Sequence, residues 1–291
     1  MSIQTKFNLF LLTFFVNTAI VFSQNLQNNN QKNILFISID DLKPILCCYG
    51  NTKIVSPNID RLASEGTVFQ NNHCQQAVCG PSRASVLTGL RPDNTQVWEL
   101  FTQMREANPN TLTLPEYLIQ KGYETAGSGK VLDGSCVDEK RDEPSWSIPF
   151  VKPKGNRWII NAETERFNAK NVPTEAPDRP EAEFIDAKIV DEGLKLLDTM
   201  AKGDKPFFLA VGIKKPHLPF IAPKKYWDLY DRESFEIAPV QEHHESIPKF
   251  AFQPSWELRS GYTSIPKTDP LPVAMQKEFI HGYYACVSHA D

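Results

Sequence analysis

Residues 33–41 read Asn-Ile-Leu-Phe-Ile-Ser-Ile-Asp-Asp. The run Asn33–Ile39 is short, apolar and β-branched, so it predicts a buried strand. It stops abruptly on two carboxylates, Asp40 and Asp41. A second run of this kind, Phe207–Val211, leads into Lys214, Lys215 and His217. Helical patterns lie between the two. Ser56-Pro57 reads as an N-cap followed by Pro at the first helical position of Asn58–Glu65, with Gly66 as the stop. Ile59, Leu62 and Ala63 share one face of that helix. Arg83–Leu87 continues as a helix towards Gly89. Thr113–Lys121 carries Pro115 in its first turn and ends before Gly122. Asp186–Lys202 predicts the longest amphipathic helix, with Ile189, Val190, Leu194, Leu197 and Met200 as its buried stripe. The alternation of strands and helices specifies an α/β fold with a mostly parallel sheet. Segment Val131–Asp178 has little periodicity and reads as an excursion from that sheet. In such sheets ligands collect at the carboxyl ends of strands, where both polar clusters sit.

Composition narrows the function classes. The chain has 291 residues, with 31 Lys and Arg against 35 Asp and Glu, a formal charge of −4. Hydrophobic residues at 41% and charged residues at 23% exclude a disordered tail, a collagen-like repeat and a multi-span membrane protein. No positive excess is available to neutralise phosphates, which argues against nucleic acid as a partner. The 22 prolines against 14 glycines predict many fixed loops.

Residues 1–24 have the order of a secretory signal peptide. Lys6 precedes an apolar run from Phe7 to Phe22, and Ser23 and Gln24 close it. The run is shorter than the roughly 20 apolar residues that span a bilayer, so export wins over a membrane anchor. Residues 25–32, rich in Asn and Gln, predict a polar spacer. The remaining 33–291 is then a periplasmic or secreted domain. Its cysteines are Cys47, Cys48, Cys74, Cys79, Cys136 and Cys286. No CxxC pair occurs, so a zinc site is not indicated. An exported chain can pair some of them, and the spacing does not say which.

The most specific string is Cys79-Gly80-Pro81-Ser82-Arg83, running into Leu87-Thr88-Gly89. It resembles the signature of the sulfatases, C-x-P-S-R followed by a short helix. Further segments fit the iduronate-2-sulfatase branch of that family. They are Asp40-Asp41-Leu42-Lys43-Pro44, Cys48-Tyr49-Gly50, Ser56-Pro57-Asn58-Ile59-Asp60, Leu90-Arg91-Pro92-Asp93 and Lys215-Pro216-His217-Leu218-Pro219-Phe220. The similarity runs from Asn33 to the last residue. It implies an alkaline-phosphatase-like sandwich, with a mostly parallel central sheet flanked by helices, that is incomplete at its C-terminal end.

The resemblance also implies a chemistry. Cys79 would be oxidised by a separate formylglycine-generating or anaerobic maturing enzyme to formylglycine, whose hydrate is the nucleophile. One hydroxyl would attack sulfur, the alcohol would leave with a proton from His217, and the second hydroxyl would expel sulfate. Lys130 and His217 match the family's sulfate-contacting Lys and leaving-group His, and Lys215 adds positive charge to substrate binding. Asp40, Asp41 and the modified Cys79 would bind calcium, or less readily magnesium. The substrate class would be a sulfated carbohydrate, with a uronic acid or another polysaccharide sugar carrying the ester.

These residue types make sense for the chemistry. A sulfate monoester is anionic, so catalysis must neutralise charge and hold sulfur in line with the attacking oxygen. Carboxylates are hard ligands for calcium. Arg83, four residues after Cys79, falls on the same side of a helical turn. Cys79 just before a helix gains from the positive end of the dipole.

Two departures from the family pattern stand out. Gly129-Lys130-Val131-Leu132-Asp133 puts Asp133 where the iduronate-2-sulfatases have His; a carboxylate there can accept a hydrogen bond or orient Lys130. The family's later D-H-G segment and its following sulfate-binding Lys do not occur in the sequence. The alternative expectation is therefore a catalytically inactive homologue that binds sulfated glycans. A phosphatase or phosphodiesterase of the same superfamily is disfavoured, because those enzymes usually carry Ser or Thr as the nucleophile.

Overall fold

The computed structural model describes residues 31–137, 142–154, 173–242, 244–248, 251 and 255–291. The expected export signal and most of the expected spacer lie outside them, as does much of the expected excursion between Val131 and Asp178. Three parallel strands form the central sheet: β1 (Ile34–Ile39), β2 (Glu124–Gly129) and β3 (Phe207–Ile213), in the order β1-β3-β2. β3 is buried along its whole length, as a central parallel strand covered on both faces must be. Register pairs Ile34 with Phe208 and Leu35 with Leu209, and β2 pairs Thr125 with Phe208.

Helix α1 is Pro57–Glu65, α2 is Cys79–Thr88, α3 is Leu114–Gln120, α4 is Ile185–Met200 and α5 is Val273–Ala290. One face of the sheet packs Leu209, Val211, Phe207 and Ala126 against Ile185, Ile189 and Met200 of α4. The other packs Phe208 and Ala210 against Leu87 of α2, Leu118 of α3, Trp146 and Val131. Helices on both faces of a parallel sheet give the expected α/β sandwich. Leu35 and Ile37 share the α4 face with Leu209 and Val211 by register, yet each is 51% exposed. α4 covers β3 and β2 and leaves that side of β1 open.

Several elements differ from the sequence reading. The buried stripe of α4 is Ile185, Ile189, Gly193 and Met200, while Val190 and Leu194 are exposed. Gly193 sits directly on Val211, and a Cβ there would lie 2.9 Å from its Cγ2. The close approach rolls the helix onto its smallest residue. α1 buries no residue, and Leu62 points to solvent. Ser56 makes no side-chain cap to α1. The cap comes from Asp291, whose Oδ1 accepts from the Ile59 N–H at 2.7 Å and whose Oδ2 accepts from Asn58 N–H at 3.0 Å. β2, Glu-Thr-Ala-Gly-Ser-Gly, has none of the bulky alternation that marks a strand. Its small residues are required because Phe150 and Trp146 stack over Gly127, where a Cβ would meet the Phe150 ring at 2.7 Å. All six cysteines are free thiols.

Candidate active site

The site is assembled by the carboxyl end of β3. The carbonyl of Gly212 accepts from the Lys130 N–H at 2.7 Å, and that of Ile213 accepts from the Asp40 N–H at 3.1 Å. The last residues of β3 therefore bring together the ends of β1 and β2, far apart in sequence. Gly212 has no alternative here, because the main chain of Lys130 and Val131 occupies the place of a Cβ. Lys130 Nζ then reaches Asp40 Oδ2 at 2.5 Å.

Arg83 completes the centre from α2. Its Nη2 donates to Asp40 Oδ1 at 2.6 Å, and Nη1 donates to the carbonyls of Lys130 and Val131, the latter at 3.1 Å. Nη1 also lies 3.3 Å from Ser38 Oγ. One planar guanidinium thus ties the end of β1 to the turn after β2, a task its fork of donors suits. Asp40 is only 4% exposed. Burial alone would raise its carboxyl, but Lys130 and Arg83 together outweigh burial and hold it below the usual carboxylate range. Burial likewise opposes the charge on Lys130, and Asp40 reverses that, so its ammonium titrates above the ordinary lysine value.

Cys79 is the first residue of α2, with extended Val78 as the cap, so it lies inside the helix rather than just before it. Arg83 follows one turn later. Burial pushes the Cys79 thiol up to about 12, with the Asp133 and Asp40 carboxylates adding to the rise and Lys130 opposing it. A thiol that stays protonated at neutral pH is a poor nucleophile. Asp133 lies 3.3 Å from Lys130 Nζ and accepts from the Ser135 N–H at 3.0 Å and from its hydroxyl. Its charge also acts on the Cys79 thiol. Burial would raise its carboxyl, but the Ser135 hydroxyl and Lys130 hold it far below the ordinary range. Asp133 is therefore a fixed anion, held by Ser135 and paired with Lys130.

Asp41 adopts a left-handed backbone with φ 58°, which Asp tolerates better than most residues. Helix α5 fixes that turn. The Tyr283 hydroxyl donates to the Asp41 carbonyl at 2.6 Å and accepts from the Lys43 N–H at 2.8 Å. His217 faces Asp41 across the mouth. The Leu218 carbonyl, 2.7 Å from Nδ1, can only accept, so Nδ1 carries the hydrogen. That leaves Nε2 as the atom facing the pocket, 3.7 Å from Asp41 Oδ2 and 3.3 Å from Glu257 Oε1. Glu257 is absent from the sequence reading. A single Glu in a polar segment carries no signal without its spatial neighbours. Lys215 is placed differently from its expected substrate role. It is 4% exposed, and its Nζ donates to the carbonyls of His217 and Pro219. These bonds hold the loop that carries His217.

Among the described residues, no group of three or more His, Cys, Asp and Glu side chains is arranged to hold a metal ion. Both oxygens of Asp40 are already bonded to cationic side chains. Asp40 and Asp41 alone are therefore not a closed metal shell.

Residues 32–291 match the sulfatase family model. The chain belongs to the sulfatase family. It is 38% identical over 272 residues to iduronate 2-sulfatase of Mus musculus, covering 89% of this chain and 49% of that protein. To a sulfatase of Formosa agariphila it is 30% identical over 286 residues, covering 90% and 54%. The chain thus spans about half the length of these curated relatives. Solved structures agree on the fold. The phosphonate monoester hydrolase of Agrobacterium radiobacter superposes with a TM-score of 0.62 at 17% identity, covering 89% of this chain and 57% of that one. A protein solved with its substrate D-glucosamine-2-N,6-O-disulfate superposes at 0.60 and 20% identity, covering 90% and 60%. The sheet and its flanking helices are those of an alkaline-phosphatase-like sulfatase fold. Sulfatases generally use formylglycine and a divalent metal. No helix among the described residues is long and apolar enough to cross a membrane.

Proposed function

We propose that this protein hydrolyses sulfate monoesters on a sulfated sugar or polysaccharide, in the manner of an iduronate 2-sulfatase, after conversion of Cys79 to formylglycine. The observation that carries this reading is the placement of Cys79 at the first turn of α2, where it feels the charges of Lys130, Asp133 and Asp40. As a thiol it is protonated and inert at neutral pH; the converted residue supplies the nucleophilic oxygen.

The chain's own residues account for the rest. Lys130 lies where it neutralises charge on the ester sulfate, and Arg83 keeps Asp40 and Lys130 in register. Asp133 accepts a hydrogen bond from the nucleophile and orients it. His217 presents Nε2 to the leaving alcohol while the Leu218 carbonyl fixes the ring through Nδ1. Lys215 holds the His217 loop in place. Such pre-positioned charge is the largest contribution available to a reaction of this kind. Calcium, before magnesium, belongs to the same reading. Asp40 and Asp41 would hold one side of the ion, which would supply further neutralisation of negative charge. Maturation requires a formylglycine-generating or anaerobic maturing enzyme, and an export signal at residues 1–24 would direct the work to extracellular or periplasmic glycans.

The test uses protein produced together with a maturing enzyme. Sulfate release from sulfated sugars is expected to vanish in Cys79→Ala and to persist in Cys136→Ala. Mass spectrometry of the Cys79 peptide is expected to show the lower mass of the aldehyde. Equal loss in both variants would remove Cys79 from the reaction. Glycan binding without sulfate release, by protein carrying converted Cys79, would assign the non-catalytic role instead.

A further inference from the structure

The mouth over Cys79 is a cavity of about 300 Å³, at the lower end of the range for a small-molecule pocket. Cys79, Asp41 and His217 lie in it. Leu100, Leu218 and Leu258 line the same space from three different segments of the chain. Such a lining favours a surface that gives up water on entering. Half-exposed Glu257 adds a carboxylate that can accept from a hydroxyl. A ring with an apolar face and a hydroxyl edge suits this mouth.

One of the three leucines leads outwards. Leu100 is packed in place: its Cδ2 lies 3.1 Å from where a Cβ on Gly80 would stand, one residue from Cys79. It also packs against buried Ala84, Val97, Met104 and Cys136. The turn that carries it is fastened to the core. The Met104 N–H donates to the Cys136 carbonyl at 2.7 Å, and Gln103 Nε2 donates to the Ser135 carbonyl at 2.9 Å. Glu99 closes the turn by accepting from the Phe101 N–H at 2.7 Å and from the Thr102 hydroxyl.

On this fixed turn two aromatic rings stay in water. Phe101, next to Leu100, is 88% exposed, and Trp98 is 49% exposed. The indole is held: Nε1 donates to Asp93 Oδ1 at 3.2 Å. The Trp98 carbonyl accepts from the side chain of Gln76, three residues before Cys79, at 3.4 Å. Rings exposed on a turn that is already ordered give up little freedom when covered, so their burial goes into binding. Their continuity with the mouth, through Leu100, points to the substrate as the cover.

We propose that Trp98 and Phe101 form a stacking platform for the sugar adjoining the sulfated one, so that the protein prefers an ester on a chain of sugars to the same ester on a lone sugar. The platform rests on the sulfatase reading above and deepens it. The ester-bearing ring fills the mouth beside Leu100, and its neighbour lays its C–H face on the aromatic faces, whose negative quadrupole attracts it. The contact is apolar, so added salt does not screen it.

The experiment compares, on the matured protein, a sulfated monosaccharide with a tetrasaccharide that carries the same ester on its terminal sugar. Phe101→Ala and Trp98→Ala are each expected to lower the ratio of kcat/KM, tetrasaccharide over monosaccharide, about tenfold. Phe101→Tyr keeps the ring and is expected to keep the ratio. A wild-type ratio in both alanine variants overturns the platform and leaves the hydrolase reading standing. Calorimetry with the tetrasaccharide on Cys79→Ala protein separates the two levels of inference. A loss of affinity on adding Phe101→Ala, of the same factor in dilute buffer and in roughly 1 M salt, supports the platform even where no ester is turned over. No binding, or binding insensitive to Phe101, overturns it. Self-association that Phe101→Ala abolishes while the ratio stays fixed also overturns it and assigns the rings to a contact between copies.

Discussion

Arg83→Met is the sharpest test of how the site is held together. The substitution keeps an apolar stem of similar length and removes the guanidinium. Lost with it are the bond to Asp40 Oδ1 at 2.6 Å, the bond to the Val131 carbonyl at 3.1 Å, and the contacts with the Lys130 carbonyl and Ser38. Removing one partner of a buried ion pair costs about 3–5 kcal/mol, because the other charge stays buried. Asp40 retains Lys130 at 2.5 Å, so the lower end, about 3 kcal/mol, is the expectation. In a domain of this size each kcal/mol at the midpoint corresponds to roughly 2–4 °C. The melting temperature, followed by circular dichroism, should therefore fall by roughly 6–12 °C. Arg83→Lys restores one charge but not the fork that spans β1 and the turn after β2, so its melting point should lie between the two. Sulfate release should be lost in both, since Lys130 and Asp40 no longer share a fixed register. A melting point for Arg83→Met within about 2 °C of wild type would refute the argument, because Asp40 would then be shown not to need the guanidinium.

Four further outcomes follow from the same geometry. Gly212→Ala places a methyl where the Lys130 main chain lies; overpacking of this kind costs about 1–3 kcal/mol or more, read as a drop in melting temperature together with loss of sulfate release. Asp291→Ala removes both main-chain bonds to the first turn of α1 and the bond from the Asn58 side chain and should cost about 1 kcal/mol, as for a lost N-cap, measured by urea denaturation. Tyr283→Phe frees the Asp41 turn from α5; kcat for sulfate release should fall while the KM changes little. Glu181→Gln tests pH dependence. Burial would raise the Glu181 carboxyl, but bonds from Lys225 and Tyr226 hold it below the ordinary value. A depressed carboxyl stabilises the fold above the unfolded value of about 4.3 and loses that contribution as pH falls through the folded value. The variant should melt below wild type at pH 7, and the gap should close in acid.

What the sequence disclosed about the fold follows from which forces act locally. β3 is legible because a strand buried on both faces must be apolar throughout, and β1 carries the same apolar run although α4 leaves one of its faces open. α3 is legible through Thr113, whose hydroxyl accepts from the Glu116 N–H at 3.3 Å, and through Pro115 in the first turn. β2 is hidden because its side chains are shaped by what stacks on them, Phe150 and Trp146, and not by any strand preference of their own. The face of α4 is misread for a related reason. Hydrophobicity marks Val190 and Leu194 as core, but the close approach of Gly193 to Val211 decides which side faces the sheet.

The candidate site divides in the same way. Cys79, Arg83, Asp40 and Lys130 each carry a local signature, either a motif or the end of an apolar run, and the structure brings the four together at the end of β3. Glu257 and Tyr283 carry none, since each owes its role to a partner far away in the chain: His217 and Asp41. Asp133 is the instructive intermediate. Its position was readable as a replacement for His, but its consequence was not. In the fold it accepts from Ser135, pairs with Lys130 and helps raise the Cys79 thiol. An imidazole could serve the nucleophile as donor or acceptor, whereas this carboxylate, held ionised by its neighbours, only accepts. A hydroxyl that reaches it must therefore be the donor. A bare aldehyde has no O–H to give, and its hydrate has two. Under the proposed conversion of Cys79, the exchange of His for Asp would therefore favour the hydrated form of residue 79.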